Sequence, residues 1–254
     1  MIERIHRFFR HAEEGVCDEV AKTAHGTALL TPTLPLVWQV NAIRVEDPDA
    51  TVKQLATEAD EVQAVFGHRK CVVHDEELGA RLAPGFKKLG WNVFRVLIML
   101  RRRDPDHPPQ LPPGGEVSRE VGAAALAAFR REQPFGWQEA AVRQLAEMDA
   151  RYDRVLAARY FASPPDDPGC ACRLYIHDGL AQVDEVGTLM SRRRHGHARA
   201  AVAAAADAAA ADGCGDVFMV TDASDWPQEL YRSLGFDAIG ATYEFLKVPI
   251  TSRT

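Results

Sequence analysis

Apolar positions recur along this chain with two periods, one close to 3.6 and one close to 2, and their alternation predicts helices and strands in turn. The opening stretch MIERIHRFFRHA carries Ile2, Ile5, Phe8 and Phe9 at helical spacing. Cys17 to Leu30 reads as two short strands about Gly26, and Leu36 to Val45 as another strand after Pro32 and Pro35. Beyond Asp47-Pro48-Asp49 a helix is expected from about Ala50 to Phe66, its acidic start suiting the helix dipole. A strand at Lys70–His74, a helix at Glu76–Leu89 with a kink or break at Pro84, and a strand at Val93–Leu100 follow. Later come helical patterns at Val121–Glu132 and Trp137–Ala157, then strands at Tyr160–Ala162 and Cys172–Ile176. His177-Asp178-Gly179 makes a hairpin turn into a central strand, followed by an alanine helix from Ala200 to Ala211 and a strand from Asp216 to Asp222.

The two halves repeat each other. Val45 stands 27 positions before Val72, and Leu189 stands 28 before Val217, while Leu89-Gly90-Trp91 matches Leu234-Gly235-Phe236. Between the halves, DPDHPPQLPPGG (Asp104 to Gly115) is a stiff proline-rich linker. The expected architecture is α/β, with two mixed-sheet domains flanked by helices. Residues 1–103 form a truncated first domain, 104–115 the linker and 116–254 the second domain.

The chemistry concentrates in the second half, between Gln182 and Asp212. A strand bearing Val183, Val186, Thr188 and Leu189, interrupted by Asp184 and Glu185, leads through Ser191-Arg192-Arg193-Arg194-His195-Gly196-His197-Ala198 into the alanine helix. Gly196 permits a turn that other residues resist, which would aim successive N–H groups and the positive helix end at one point. Such a turn cradles phosphate, and guanidinium groups beside it bind phosphate in a bidentate fashion. In the first half the matching stretch is Glu46-Asp47-Pro48-Asp49, whose carboxylates repel phosphate and whose proline supplies no N–H. Aligned on the Leu-Gly-aromatic ends, Phe86 stands where Tyr231 stands.

Arg193-x-x-Gly196-x-Ala198 resembles the coenzyme A loop, [Q/R]-x-x-G-x-[G/A], of the GNAT superfamily of acyl-CoA-dependent N-acetyltransferases. Leu230-Tyr231-Arg232-Ser233-Leu234-Gly235-Phe236 is similar to the family's L-Y-x-x-x-G-F, and the likeness spans roughly residues 116–248. The resemblance implies acetyl-CoA as co-substrate, bound by Gly187, Thr188, Leu189, Met190, Arg193, Arg194, His195, Gly196, His197, Ala198, Arg199 and Tyr231. It implies a strand amide at Gly187–Leu189 for the thioester carbonyl and Tyr231 as general acid to the departing sulfur. Ser224 and Asp225 stand where many relatives carry Asn; with Pro227 they are expected to cap and open the following helix. The first domain, lacking both features, is expected to be a degenerate, non-catalytic partner. Direct transfer to a primary amine in a ternary complex follows, since no cysteine is placed as an acyl carrier. The rival is a catalytically silent acyl-CoA-binding or sensing protein, and the tandem arrangement also resembles paired-domain enzymes of small-thiol biosynthesis.

An attacking amine must be neutral, which calls for a base. Asp184 and Glu185 lie on the central strand, where adjacent side chains point to opposite faces. Parity with Gly187 and Leu189 favours Glu185, leaving Asp184 to the acceptor; both could equally be solvated strand-edge charges. Phe135 and Trp137 either line an acceptor pocket or pin a turn to the core.

Composition narrows the classes. Hydrophobic residues make up 46% of the chain and its net charge is −6, an ordinary globular balance that disfavours nucleic-acid binding. The run Arg192–Arg194 is too short to alter that. No signal segment or bilayer-length apolar run is evident, so a cytoplasmic monomer or homodimer, bound neither to nucleic acid nor to membrane, is expected. Cys17, Cys71, Cys170, Cys172 and Cys214 are expected to be free thiols, and no metal site is expected at Cys170-x-Cys172 or at His195 and His197.

Overall fold

The computed structural model describes residues 1–101 and 111–248, so most of the proline-rich linker lies outside the described residues. Two compact units divide the chain. The first comprises Met1–Leu97 and Asp222–Ser224 together with the residues from Gly240 on; the second comprises Ile98–Thr221 and Asp225–Ile239. The end of the chain therefore groups with the first unit, whereas the sequence assigns it to the second domain.

The first unit runs α1 (Ile2–Val16), β1 (Glu19–Lys22), β2 (Gly26–Leu30), β3 (Ala42–Val45), α2 (Val52–Val62), β4 (Arg69–Val73), α3 (Glu76–Lys88) and the start of β5 (Asn92–Arg101). Its strands β1, β2 and β3 pair antiparallel, β3 and β4 pair parallel across the α2 crossover, and the last strand of the chain pairs antiparallel with β4. Ile43, Leu55, Ala59, Phe86, Trp91 and Phe245 share one buried cluster between sheet and helices.

The expected strand over Leu36–Val45 is shorter than its apolar pattern suggests. Trp38–Val40 forms a short 3₁₀ turn, and only Ala42–Val45 is strand. The cause is Asn41. Its buried side-chain amide donates to the Leu34 and Val37 carbonyls at 2.9 Å each, and its Oδ1 accepts from the Thr31 N–H at 2.7 Å. These bonds satisfy locally the backbone groups that a sheet ladder would otherwise use. Pro84 does not break α3, which runs continuously through it.

The second unit continues β6 (Gly115–Val117), α4 (Arg119–Arg131), α5 (Glu139–Val155), β7 (Ala157–Ser163), β8 (Cys170–His177), β9 (Leu180–Thr188), α6 (His197–Ala211), β10 (Asp216–Asp222), α7 (Pro227–Ser233) and the start of β11 (Phe236–Lys247). β6, β7, β8 and β9 form an antiparallel meander, and β9 and β10 pair parallel across the α6 crossover. The β8–β9 turn places both Asp178 and Gly179 at positive φ, +50° and +65°, as the sequence there requires. α6 lays Ala200, Ala201, Val202, Ala205, Ala206 and Ala209 against β7, β8 and β9. Alanine has the highest helix propensity and the smallest side chain compatible with so close an approach. Each unit thus has the order hairpin, crossover helix, parallel strand, helix, strand.

Candidate active site

The crossover from β9 into α6 is built around two residues in the left-handed region, Arg194 at φ +66° and Gly196 at φ +83°. Gly196 is the N-cap of α6 and leaves the helix without a side-chain cap. The amides of His197, Ala198 and Arg199 therefore face outward with no intrahelical acceptor, at the positive end of the helix dipole. Around them, the Arg194 side chain makes no hydrogen bond or ion pair among the described residues, and the Arg193 side chain reaches only the Thr188 carbonyl, at 3.4 Å. Arg192 pairs with Asp167, and Arg199 donates to Ser233 Oγ at 3.2 Å. Ser163 Oγ donates to the Pro113 carbonyl at 2.7 Å, so at 3.0 Å it accepts from His197 Nδ1. That bond fixes the ring of the first helical residue. Burial and the neighbouring His195 and Arg192 lower the His197 pKa, which keeps the ring neutral.

The corresponding helix of the first unit is closed. Thr51 and Gln54 form a capping box at the start of α2: Thr51 Oγ1 accepts from the Gln54 N–H, and the Gln54 side-chain Oε1 accepts from the Thr51 N–H at 3.0 Å. Glu46 is held by Lys22, Thr27 and Arg44, and Asp47 by His25. Phe86 is wholly buried, stacked on Phe245 with ring centroids 4.2 Å apart.

Tyr231 lies in α7, only 8% exposed. Burial, then the nearby Cys172, Cys170 and Asp184, raise its pKa, so the phenol stays protonated. Its hydroxyl has no hydrogen-bond partner among the described residues. α7 begins at Pro227, yet neither Ser224 nor Asp225 caps it, contrary to expectation: Ser224 bonds Asp222, and Asp225 accepts only the neighbouring Trp226 N–H.

β9 carries an irregularity beside Asp184 and Glu185. Ala171 pairs with Gly187 and Arg173 with Asp184, so Cys172 alone stands opposite Glu185 and Val186. This is a bulge, and it places Glu185 at φ +50°. The Glu185 carboxylate lies between two buried guanidiniums. Oε1 accepts from Arg130 Nε at 2.8 Å, while Oε2 accepts from Arg130 Nη2 and Arg173 Nη2. Burial alone would raise this carboxyl, but Arg173 and Arg130 outweigh it and hold it below the ordinary range. A carboxylate so engaged is a poor proton acceptor, which reverses the order the sequence suggests for the two acids. Asp184 has a side chain 32% exposed, a long contact, 3.4 Å, to Arg173, and a hydrogen bond from the Glu185 backbone N–H. Its pKa is raised by burial, with Glu185 and Asp149 adding to the effect and Arg173 opposing it.

Arg130 and Asp149 are members of this cluster that the sequence reading missed. Asp149 receives two bonds from Arg130, at 2.7 and 3.0 Å, and one from Arg173 at 2.6 Å. A signal for them exists: Arg130 shares a helix face with Gly122 and Leu126, so a charge interrupts an apolar stripe.

Gly187 is buried under α4, where an added Cβ would lie 2.5 Å from Phe129 Cδ1. Thr188 and Leu189 are half-buried, and Met190 is exposed with its N–H donated to Glu132 at 2.7 Å. Phe135 is 38% and Trp137 79% exposed, so these aromatics do not pin the turn to the core. The thiols are free, and among the described residues no cluster could hold a metal. A cavity of about 610 Å³ lined by Glu116, Arg119, Asp153, Arg159 and Tyr160 shares no residue with the α6 loop. Its Arg159 and Arg119 are already paired with Glu116 and Asp153.

Residues 123–236 match the model of the acetyltransferase (GNAT) family. The second half of this chain carries a GNAT domain. Among solved structures, a functionally unknown conserved protein from Staphylococcus epidermidis is 16% identical, with a TM-score of 0.67 over 92% of this chain and 95% of its own. A GCN5-related N-acetyltransferase from Kribbella flavida is 19% identical, with a TM-score of 0.61 over 95% of this chain and 94% of its own. A tandem GNAT protein from the clavulanic acid biosynthesis pathway is 13% identical, with a TM-score of 0.53 over 81% and 74%. At such identities the likeness is one of fold. No curated protein matches in sequence. The family match supports acyl transfer in general, and no helix among the described residues is long and apolar enough to cross a membrane.

Proposed function

We propose that this protein is an acyl-CoA-dependent N-acetyltransferase with one active site, in its second unit, acting on a small-molecule primary amine. The observation that carries the reading is the open N-terminus of α6. Gly196 leaves the first amides of α6 without a side-chain cap and Arg193 and Arg194 stand beside them, while the matching helix of the first unit has its third amide taken by its own capping box. The groups present suit coenzyme A: uncapped amides and guanidinium for a pyrophosphate, backbone of Gly187 to Met190 for an extended arm, and an unpartnered hydroxyl at Tyr231. When bound, acetyl-CoA would supply the acyl thioester.

The chain's own residues would do the rest. A lysine-like amine is neutral in only about one part in a few thousand at pH 7. Asp184, half-buried and basic for a carboxylate, is the residue to take the amine's proton as the C–N bond forms. Tyr231, held protonated, would give its proton to sulfur as the C–S bond breaks. Holding amine and thioester together removes much of the entropic barrier. In this reading the first unit is non-catalytic.

The test is incubation of the full chain with acetyl-CoA and pooled amines, read by mass spectrometry. An acetylated amine that requires the protein supports the enzyme. Saturable binding with no product across the panel would favour the silent acyl-CoA-binding alternative.

A further inference from the structure

We propose that Glu185 is a positioning residue, a pin through which Arg130 and Arg173 hold the β9 bulge in one shape. The inference rests on the second unit being an acyl-CoA site, for it is the backbone just beyond the bulge, at Gly187 and Thr188, whose aim the pin would fix.

Several observations converge on this role. Glu185 is the residue that the bulge forces to φ +50°, a region that favours glycine. A glutamate persists there when its surroundings over-determine the conformation. Here they do so: three N–H donors occupy its two oxygens, leaving the carboxylate little capacity to accept a proton. The two arginines are themselves buried, each 2% exposed and each bonded to Asp149 of α5. One carboxylate thus ties β9 to α4 through Arg130 and to β8 through Arg173. The α4 helix has a second hold on the same strand, because Phe129, next to Arg130, covers Gly187 so closely that no side chain fits there. The pin and the lid over the strand amide therefore sit on adjacent residues of one helix. Charge accounting agrees. Asp149 and Glu185 balance the two guanidiniums, and Asp184 is the acid left over, turned partly to solvent.

Substitutions at Glu185 separate a pin from a base, because alanine and glycine both lack a carboxylate and differ in their tolerance of positive φ. Glu185→Gln, Glu185→Gly and Glu185→Ala would be made in the full chain. Amide hydrogen exchange of the segment 183–190 would be followed beside kcat and the KM for acetyl-CoA. Protection should fall in the order parent, Gln, Gly, Ala. Gln keeps one acceptor oxygen but turns its NH2 toward a guanidinium donor, so its kcat should fall between those of parent and Ala, with the acidic limb of its pH profile unchanged. Gly should exceed Ala in kcat by about tenfold, the ratio expected from forcing a non-glycine residue into this region. Equal Gly and Ala variants, or a Gln variant whose acidic limb disappears, would overturn the pin. Should Ala fail to fold, the Gln variant still decides. Should no amine be acetylated even by the parent chain, the function proposed above fails, while the exchange order alone decides the pin.

Discussion

Replacing Tyr231 by Phe removes one oxygen and nothing else, and the structure allows both consequences to be sized. The hydroxyl has no hydrogen-bond partner among the described residues, so its loss breaks no bond. The ring, 8% exposed, packs as before. Deleting an unpartnered, largely buried hydroxyl should change stability by no more than about 1 kcal/mol. For a chain of this size that is about 2–4 °C in Tm. The rate is another matter. A general acid contributes about 10²–10⁴, so the barrier should rise by about 2.7–5.5 kcal/mol. The loss should fall on kcat with the acetyl-CoA KM nearly unchanged, because the proton moves only as the C–S bond breaks. Loss of thioester with an amine found by the screen, measured beside thermal unfolding, separates the two effects. Full turnover in a folded Tyr231→Phe would refute the acid assignment. A collapse of Tm with proportionate loss of activity would show the hydroxyl to be structural.

Other outcomes follow from the same geometry. Asp184, with its raised pKa, is protonated at low pH, so kcat/KM should climb with pH above the ordinary carboxylate range; Asp184→Asn should flatten that limb and lower the rate by about 10²–10⁴, and an unchanged profile would remove Asp184 from the mechanism. Glu185 is shifted the other way: its stabilisation is present above the unfolded carboxylate pKa and lost as pH falls through its lower folded value. Acid unfolding, followed by circular dichroism, should therefore be less steep in Glu185→Gln, and an identical acid transition would argue against the double ion pair. Phe86→Ala should destabilise the first unit by about 3–5 kcal/mol in denaturant unfolding without changing acetyl-CoA affinity in chains that remain folded.

The strand–loop–helix at the centre of the site was legible in the sequence because short-range chemistry determines it. An alanine run can only be helix, and Gly196 occupies the position where a left-handed N-cap is needed. The repeat of the two halves was legible for the same reason, as each has a hairpin and a crossover of similar length. What escaped depends on contacts distant in sequence or on a single inserted residue. Asn41 shortens β3 through bonds to Thr31, Leu34 and Val37 that hydropathy does not register. The choice between Asp184 and Glu185 rested on strict alternation, and one extra residue at a bulge resets which face each side chain takes. Of the two alternatives for Phe135 and Trp137, the turn pinned to the core fails because Trp137 is 79% exposed.

The central claim is that one open helix N-terminus, and one alone, binds acetyl-CoA. Calorimetric titration of the full chain and of Gly196→Asp tests it most directly. Aspartate tolerates positive φ better than most residues, and a Cβ at this position would meet only Pro112 Cδ at 3.1 Å, so the variant should fold. Its carboxylate would face the same amides that are proposed to hold phosphate. The account expects one molecule of acetyl-CoA per parent chain and none per Gly196→Asp chain that remains folded. Two molecules per parent chain, or parental affinity in a folded Gly196→Asp, would contradict it.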